Sequence, residues 1–321
     1  MDLTNAFDEL QRNVNADIDQ VTLARDRRDI FKKAFKGEDD VLEVFGSGSL
    51  ARSTQLRPVH DVDLIVVFDG DKHPGWGAPG TSAEDALGHA QDRVKALLGM
   101  ADGRVDQLVR LAKPRDRAVK CFIDPPEQDD AFTVDVMPVL RQPDETLLLP
   151  SKRNKQWNTA DPEYLIKEVA AQQRKWAFFR PLVRVLKHWR LGVPTKVKSL
   201  VIEVLALQCL PTEGNRQNAL KSFFTSSAVE VGYGVEDPAK RCGPIQPDLD
   251  ISILRTALEE ARNLAELACA AAADGKTDEA GMYWRDIFGD DFPESSSENH
   301  VGAAASAAVV TPRVVKDAPQ G

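Results

Sequence analysis

The hydrophobic pattern of this chain changes period at one place, and that change sets the limits on its fold. Five short aliphatic runs, Val41 to Phe45, Val62 to Phe68, Val105 to Leu111, Ala118 to Ile123 and Phe132 to Val136, are each bounded by Gly, Pro or Asp. That is the pattern of strands. A single helical stretch, residues 82–98, interrupts them, and the segment DGDKHPGWGAPG at residues 69–80 is rich enough in Gly and Pro to read as a surface loop. Ahead of the strands, Val14, Ile18, Val21 and Leu23 recur at helical spacing, which predicts one amphipathic helix over residues 7–36. After Pro143 the strand signals stop. Asp161-Pro162-Glu163 reads as a helix start running towards Phe179, Pro181 opens the next helix, and Gly192 with Pro194 end it. Helices near residues 199–210 and 251–273 follow, then a last turn at residues 283–288.

The expected organisation is of the α+β class: a sheet domain at residues 1–143, with helix 7–36 bridging the halves, and a helical domain at 144–293. Residues 294–321 are rich in Ser, Ala, Gly and Pro and hold no Phe, Trp or Tyr, too little apolar surface to offset the entropy of ordering, so this tail is expected to be disordered. A chain of 321 residues with 42% hydrophobic and 28% charged content fills one large domain or two ordinary ones. The net charge of -9 argues against a surface that grips nucleic acid throughout, because that affinity comes from Lys and Arg releasing counterions. A nucleic-acid activator is therefore not indicated. Cys121, Cys209, Cys242 and Cys269 form no C-x-x-C pair and are expected as reduced, buried thiols. The apolar run Leu200 to Leu210 is interrupted by Glu203 and Gln208, so it reads as a core helix; no membrane association is expected, and the location expected is cytoplasmic.

The chemistry concentrates between Phe45 and Phe68. Asp61 and Asp63 are two residues apart at the start of a strand, so both carboxylates project from one face and can serve the same metal ions. A D-x-D pair is weak by itself, since Asp17/Asp19, Asp69/Asp71 and Asp248/Asp250 repeat it. Its context is stronger. Gly48-Ser49 forms a turn between a strand and a short helix, where backbone N–H groups bind phosphate. Asp135 stands inside the apolar run Phe-Thr-Val-Asp-Val-Met-Pro, where a carboxylate is costly unless paired or metal-bound. On an adjacent antiparallel strand it would face the other two acids and complete a two-metal site. Gly46-x-Gly48-x-x-Ala51 also fits a dinucleotide fingerprint with Asp69 downstream, but the helix available before Pro58 is short and the three acids are left unexplained. His60 reads as a positioning or packing residue and His188 as structural.

These residues resemble the cGAS/DncV-like nucleotidyltransferases (CD-NTases) of bacterial CBASS anti-phage systems, kin to the oligoadenylate synthetases, over most of the chain to about Pro293. Gly48-Ser49, Thr54-x-Leu56-Arg57 and Asp61-Val-Asp63-Leu look like the first motif, and Val134-Asp-Val-Met-Pro138 like the strand of the third carboxylate. Val183-Arg-Val-Leu-Lys-His-Trp189 is similar to the helix whose lysine holds the donor triphosphate, and Lys198-Ser-Leu-Val-Ile-Glu203 to the helix whose serine touches the same phosphates. Trp284-Arg-Asp-Ile-Phe-Gly289 with Phe292-Pro293 looks like the bacterial branch; Ile245-Gln-Pro-Asp-Leu-Asp250 departs from the usual pattern and receives no role. Between Glu168 and Glu203 there is no acid while eight basic residues accumulate, which marks a local anion site; Arg180, Arg184 and Lys187 share a helical face by their spacing.

The resemblance implies a polymerase β-like, bilobal fold with a central active-site cleft. It implies catalytic and metal-binding roles for Asp61, Asp63 and Asp135, with two Mg2+ ions (Mn2+ as an alternative), and nucleotide binding by Gly48, Ser49, Lys187 and Ser199. The implied reaction consumes NTPs, ATP among them, to make a cyclic di- or trinucleotide second messenger for a downstream effector. The alternatives are transfer of a nucleotide to an RNA end, a small molecule or a protein, and a non-catalytic nucleotide sensor. Gly321, at the end of the tail, is an expected conjugation site for a ubiquitin-ligase-like partner.

Overall fold

The computed structural model describes residues 2–99 and 108–294. The tail, apart from Glu294, and the expected conjugation site Gly321 lie outside them, as does the start of the strand expected at Val105.

In chain order the elements are α1 (Leu3–Val14), α2 (Ile18–Phe35), β1 (Val41–Ser47), α3 (Gly48–Arg52), β2 (Asp61–Phe68), α4 (Ser82–Leu98), β3 (Leu111–Pro114), β4 (Val119–Phe122), β5 (Thr133–Arg141), β6 (Leu147–Ser151) and β7 (Gln156–Ala160). Then come α5 (Pro162–Lys175), α6 (Phe179–Trp189), α7 (Ser199–Cys209), α8 (Arg216–Glu230), α9 (Ile251–Ala273) and α10 (Thr277–Phe288). Among the described residues two compact units form. Ala16–Lys167 with Ala239–Cys242 make a sheet unit; residues 2–15, Glu168–Pro238 and 243–294 make a helical unit.

The helix expected over residues 7–36 is two helices. Asp17 ends the continuity: its carboxylate accepts from the N–H groups of Asp19 and Gln20 and so caps α2, while Asn15 closes α1 in an extended conformation. α1 belongs to the helical unit and α2 to the sheet unit.

The sheet has the order β1-β2-β5-β4-β3, with β6 paired to β5 and β7 to β6. β2 and β5 are parallel, and the other pairs are antiparallel. The parallel pair arises because α4, β3 and β4 intervene in sequence, and a parallel connection needs a long crossover. Val62, Leu64, Val66 and Phe68 alternate onto one face, where they pack with Phe31 and Phe35 of α2 and Leu87, Ala90 and Val94 of α4. Ile65 and Val67 take the other face with Met137, Val139, Leu147 and Leu149. β6 and β7 lie beyond Pro143, where only helices were expected. A three-residue Leu run and a polar QWNTA segment carry no period-2 signal, and the pairing of β6 with β5 and of β7 with β6 defines them instead.

In the helical unit α8 was not foreseen, because Thr-Ser-Ser interrupts its apolar positions; Ala219, Leu220, Phe223 and Phe224 are nevertheless buried. α5 starts as expected, with Asp161 Oδ1 accepting from Tyr164 N at 2.9 Å. Phe7 of α1 packs edge-on against Trp284 and Phe292, each 5.2 Å between ring centroids, so the C-terminal aromatic motif forms core. Cys121 and Cys209 are buried free thiols as expected, whereas Cys269 is partly accessible and Cys242 is exposed. No described helix is long and apolar enough to cross a membrane.

Candidate active site

Strand alternation places the acids. Asp61 and Asp63 share their face of β2 with Ile65 and Val67, and Asp135 shares its face of β5 with Met137 and Val139. The register sets Asp63 directly beside Asp135 and Asp61 beside Thr133. The acids therefore converge as expected, on a parallel rather than an antiparallel pair. His60 helps join the strands, its carbonyl accepting from Thr133 N at 2.8 Å, and its ring Nδ1 lies 3.2 Å from the Asp130 carbonyl oxygen, which fits a positioning residue.

Asp135 is 1% exposed, and neither of its carboxylate oxygens has a hydrogen-bond partner among the described residues. Burial, with Asp63 and Asp61 adding like charge, pushes its pKa up to about 8 against the opposing pull of Lys120 and Arg115. Lys120 sits opposite Asp135 in the β4–β5 register. Sequence reading passed over Lys120, although a lysine in the middle of an apolar strand was a signal to find it. An orphaned, buried carboxylate beside two further acids is a donor set suited to a hard divalent cation, whose charge would offset the repulsion.

Gly48 is fixed by this arrangement. Its φ of +66° favours glycine, and a Cβ at this position would lie 1.6 Å from Asp63 Oδ2. With Ser49 it opens α3, and with Ser47, Asp63, Met137 and Leu149 it lines a small cavity.

The remaining predicted residues are in the helical unit. Lys187 is buried, and its Nζ donates to Glu203 Oε1 at 2.9 Å, Glu203 being 1% exposed. Arg184 Nε donates to Asn15 Oδ1 at 2.7 Å, and burial together with neighbouring Arg180 lowers its pKa to about 10. Ser199 is the first residue of α7. Just before it, Lys198 N donates to Gln246 Oε1 at 2.7 Å and Gln246 Nε2 donates to Lys196 O at 2.9 Å. Gln246 thus fixes the entry to α7 from the segment that had received no role; a single glutamine in a polar loop carries no pattern that could have revealed this. His188 is structural as expected, bonded to Asp291 at 2.7 Å. The competing D-x-D pairs are local devices: Asp17 and Asp250 cap helices, and Asp69 accepts from Asp71 N.

Residues 1–172 match the family described as the Second Messenger Oligonucleotide or Dinucleotide Synthetase domain. The chain belongs to this family. The chain is similar to a probable cyclic nucleotide synthase of Bacillus cereus strain VD146, with 23% identity over 90% of this chain and 97% of that one. It is also similar to the cyclic AMP-AMP-AMP synthase of Escherichia coli strain MS 115-1, with 25% identity over 85% of this chain and 94% of the relative. Among solved structures, that of E. coli MS115-1 CdnC with ATP superposes with a TM-score of 0.69 at 19% identity, covering 90% of this chain and 98% of its own. At that identity the likeness establishes the fold, that of the polymerase β-like nucleotidyltransferases.

Proposed function

We propose that this synthetase joins nucleoside triphosphates, ATP among them, into a cyclic di- or trinucleotide. The observation that carries the reading is the convergence of Asp61, Asp63 and Asp135 on one face of β2 and β5, with both Asp135 oxygens buried and lacking hydrogen-bond partners among the described residues. Asp61, Asp63 and Asp135 would hold two divalent ions, Mg2+ being the natural choice for a carboxylate set acting on a triphosphate. Such ions stabilise charge on the attacking and leaving oxygens. A ribose hydroxyl oxygen bonds to the α-phosphorus of the NTP, the bond from that phosphorus to the bridging oxygen breaks, and pyrophosphate leaves. Asp135 would accept the hydroxyl proton in its ionised form, which bound cations favour by offsetting the charge of Asp61 and Asp63. Gly48 and Ser49 supply backbone N–H groups for phosphate, and Ser199 does the same at the start of α7. Lys187 binds triphosphate while Glu203 holds its ammonium in place.

The test is incubation of the purified chain with the four NTPs and Mg2+, followed by identification of products by mass. A cyclic product supports the proposal. Linear transfer only to an added acceptor, or binding without turnover, overturns it.

A further inference from the structure

A second cluster of ligating side chains lies at the other end of β1 and β2. Asp40, directly before β1, is 4% exposed; His73 comes from the loop after β2, and His89 from α4. His73 Nε2 is 3.1 Å and His89 Nε2 2.7 Å from the same oxygen, Asp40 Oδ2, and one ligand atom from each of the three residues lies within 4.8 Å of the others. Asp40 Oδ1 is buried and has no hydrogen-bond partner among the described residues. The hydrogen bonding is over-subscribed on one side and empty on the other. Arg93 Nη2 also approaches Asp40 Oδ2, at 3.3 Å, and Arg93 Nε approaches His89 Nε2 at 3.4 Å. One ring nitrogen cannot donate to Asp40 and accept from Arg93 together.

We propose that Asp40, His73 and His89 form a site for a transition-metal ion of the zinc class, separate from the nucleotide site. Two imidazole nitrogens and a carboxylate oxygen are the donor set such ions prefer. With bonds of about 2.0–2.1 Å, ligand atoms in a tetrahedral site stand roughly 3.3 Å apart, so the observed 2.7 and 3.1 Å separations need only a small expansion. Water completes the shell. Arg93 gives up Asp40 and keeps its partner Glu38, which it already contacts. His73 stacks on Trp76 at 4.0 Å, so the ion joins the Gly- and Pro-rich loop, α4 and the start of β1.

The probe is Co2+, titrated into the metal-stripped full-length chain carrying Asp61→Asn and Asp63→Asn, which removes the acids of the nucleotide site. The expected result is one Co2+ per chain with the visible absorption of a low-coordinate ion, displaced by Zn2+ and not by Mg2+. His73→Gln or His89→Gln weakens binding by roughly tenfold or more, Arg93→Gln strengthens it, and His60→Gln leaves it unchanged. Circular dichroism verifies that each variant is folded. If a histidine variant is unfolded, X-ray absorption of the Zn2+-loaded chain decides by the presence or absence of two imidazoles around the metal. Failure to take up Co2+, uptake unaffected by both histidine substitutions in folded protein, or a metal without two imidazoles overturns the proposal. Because uptake is read without substrate, a failure here is distinct from a failure to synthesise product.

Discussion

Asp40 and Asp135 are both almost wholly buried, at opposite ends of one sheet, yet their surroundings drive them in opposite directions. Burial works against charge in both. At Asp40 the hydrogen bonds of His89 and His73 and the charge of Arg93 outweigh burial, and the pKa falls below the usual carboxylate value. At Asp135 no hydrogen bond from the described residues opposes burial, two carboxylates add to it, and the pKa rises to about 8. The first aspartate has its charge offset by its own chain, through Oδ2 alone. The second is held where a charged form needs something from outside.

The largest effect expected at the Asp135 end comes from Asp61→Asn with Asp63→Asn. Loss of product synthesis by roughly a thousandfold is expected, since metal-based charge stabilisation supplies several kcal/mol. Mass analysis of NTP reactions measures it, and undiminished synthesis would show that these acids are bystanders. Gly48→Ala comes next: the added Cβ displaces Asp63, and a misplaced carboxylate costs roughly a hundredfold in rate. A kcat within a few-fold of wild type would mean that the turn yields at no cost.

The two aspartates can be compared directly through stability. In the folded chain Asp135 keeps its proton up to about pH 8, whereas an ordinary aspartate loses it near pH 3.8, so the folded state binds the extra proton between these pH values. Without divalent ions, stability therefore falls as pH rises from about 4 to about 8. Asp135→Asn should remove that decline and raise Tm at pH 8 in chelator, with no gain near pH 4. Asp40 has the opposite sign: its lowered pKa contributes stability above the unfolded value that is lost as pH falls through the folded one. Asp40→Asn should accordingly destabilise the chain at neutral pH by roughly 1–3 kcal/mol in a denaturant titration. Equal signs for the two substitutions would break the comparison. The smallest effect is expected for Gln246→Ala, which frees the entry to α7: a rise in KM for NTP of roughly threefold, with kcat little changed. An unaltered KM would leave Gln246 a purely structural residue.

Much of the site was legible because its residues violate local expectations. Asp135 inside an apolar run and glycine at position 48 between strand and helix are anomalies that a sequence displays directly, and both proved to have physical causes in the fold. Lys120, Gln246 and the Asp40 cluster were not found, since each acquires meaning from a neighbour far away in the chain. The α1–α2 break was misread for a different reason: Asp17 looks like any solvated acid until its caps are seen.

By itself, then, the sequence determined the strand-rich and helix-rich stretches and the residues able to carry chemistry, because side-chain period and burial cost are local properties. Tertiary structure alone decided the parallel pairing of β2 with β5, the register that sets Asp63 beside Asp135, and the addition of β6 and β7 to the sheet. Pairing direction and register depend on crossover connections and on backbone hydrogen bonds between distant segments, and those bonds are the same for every residue type but proline.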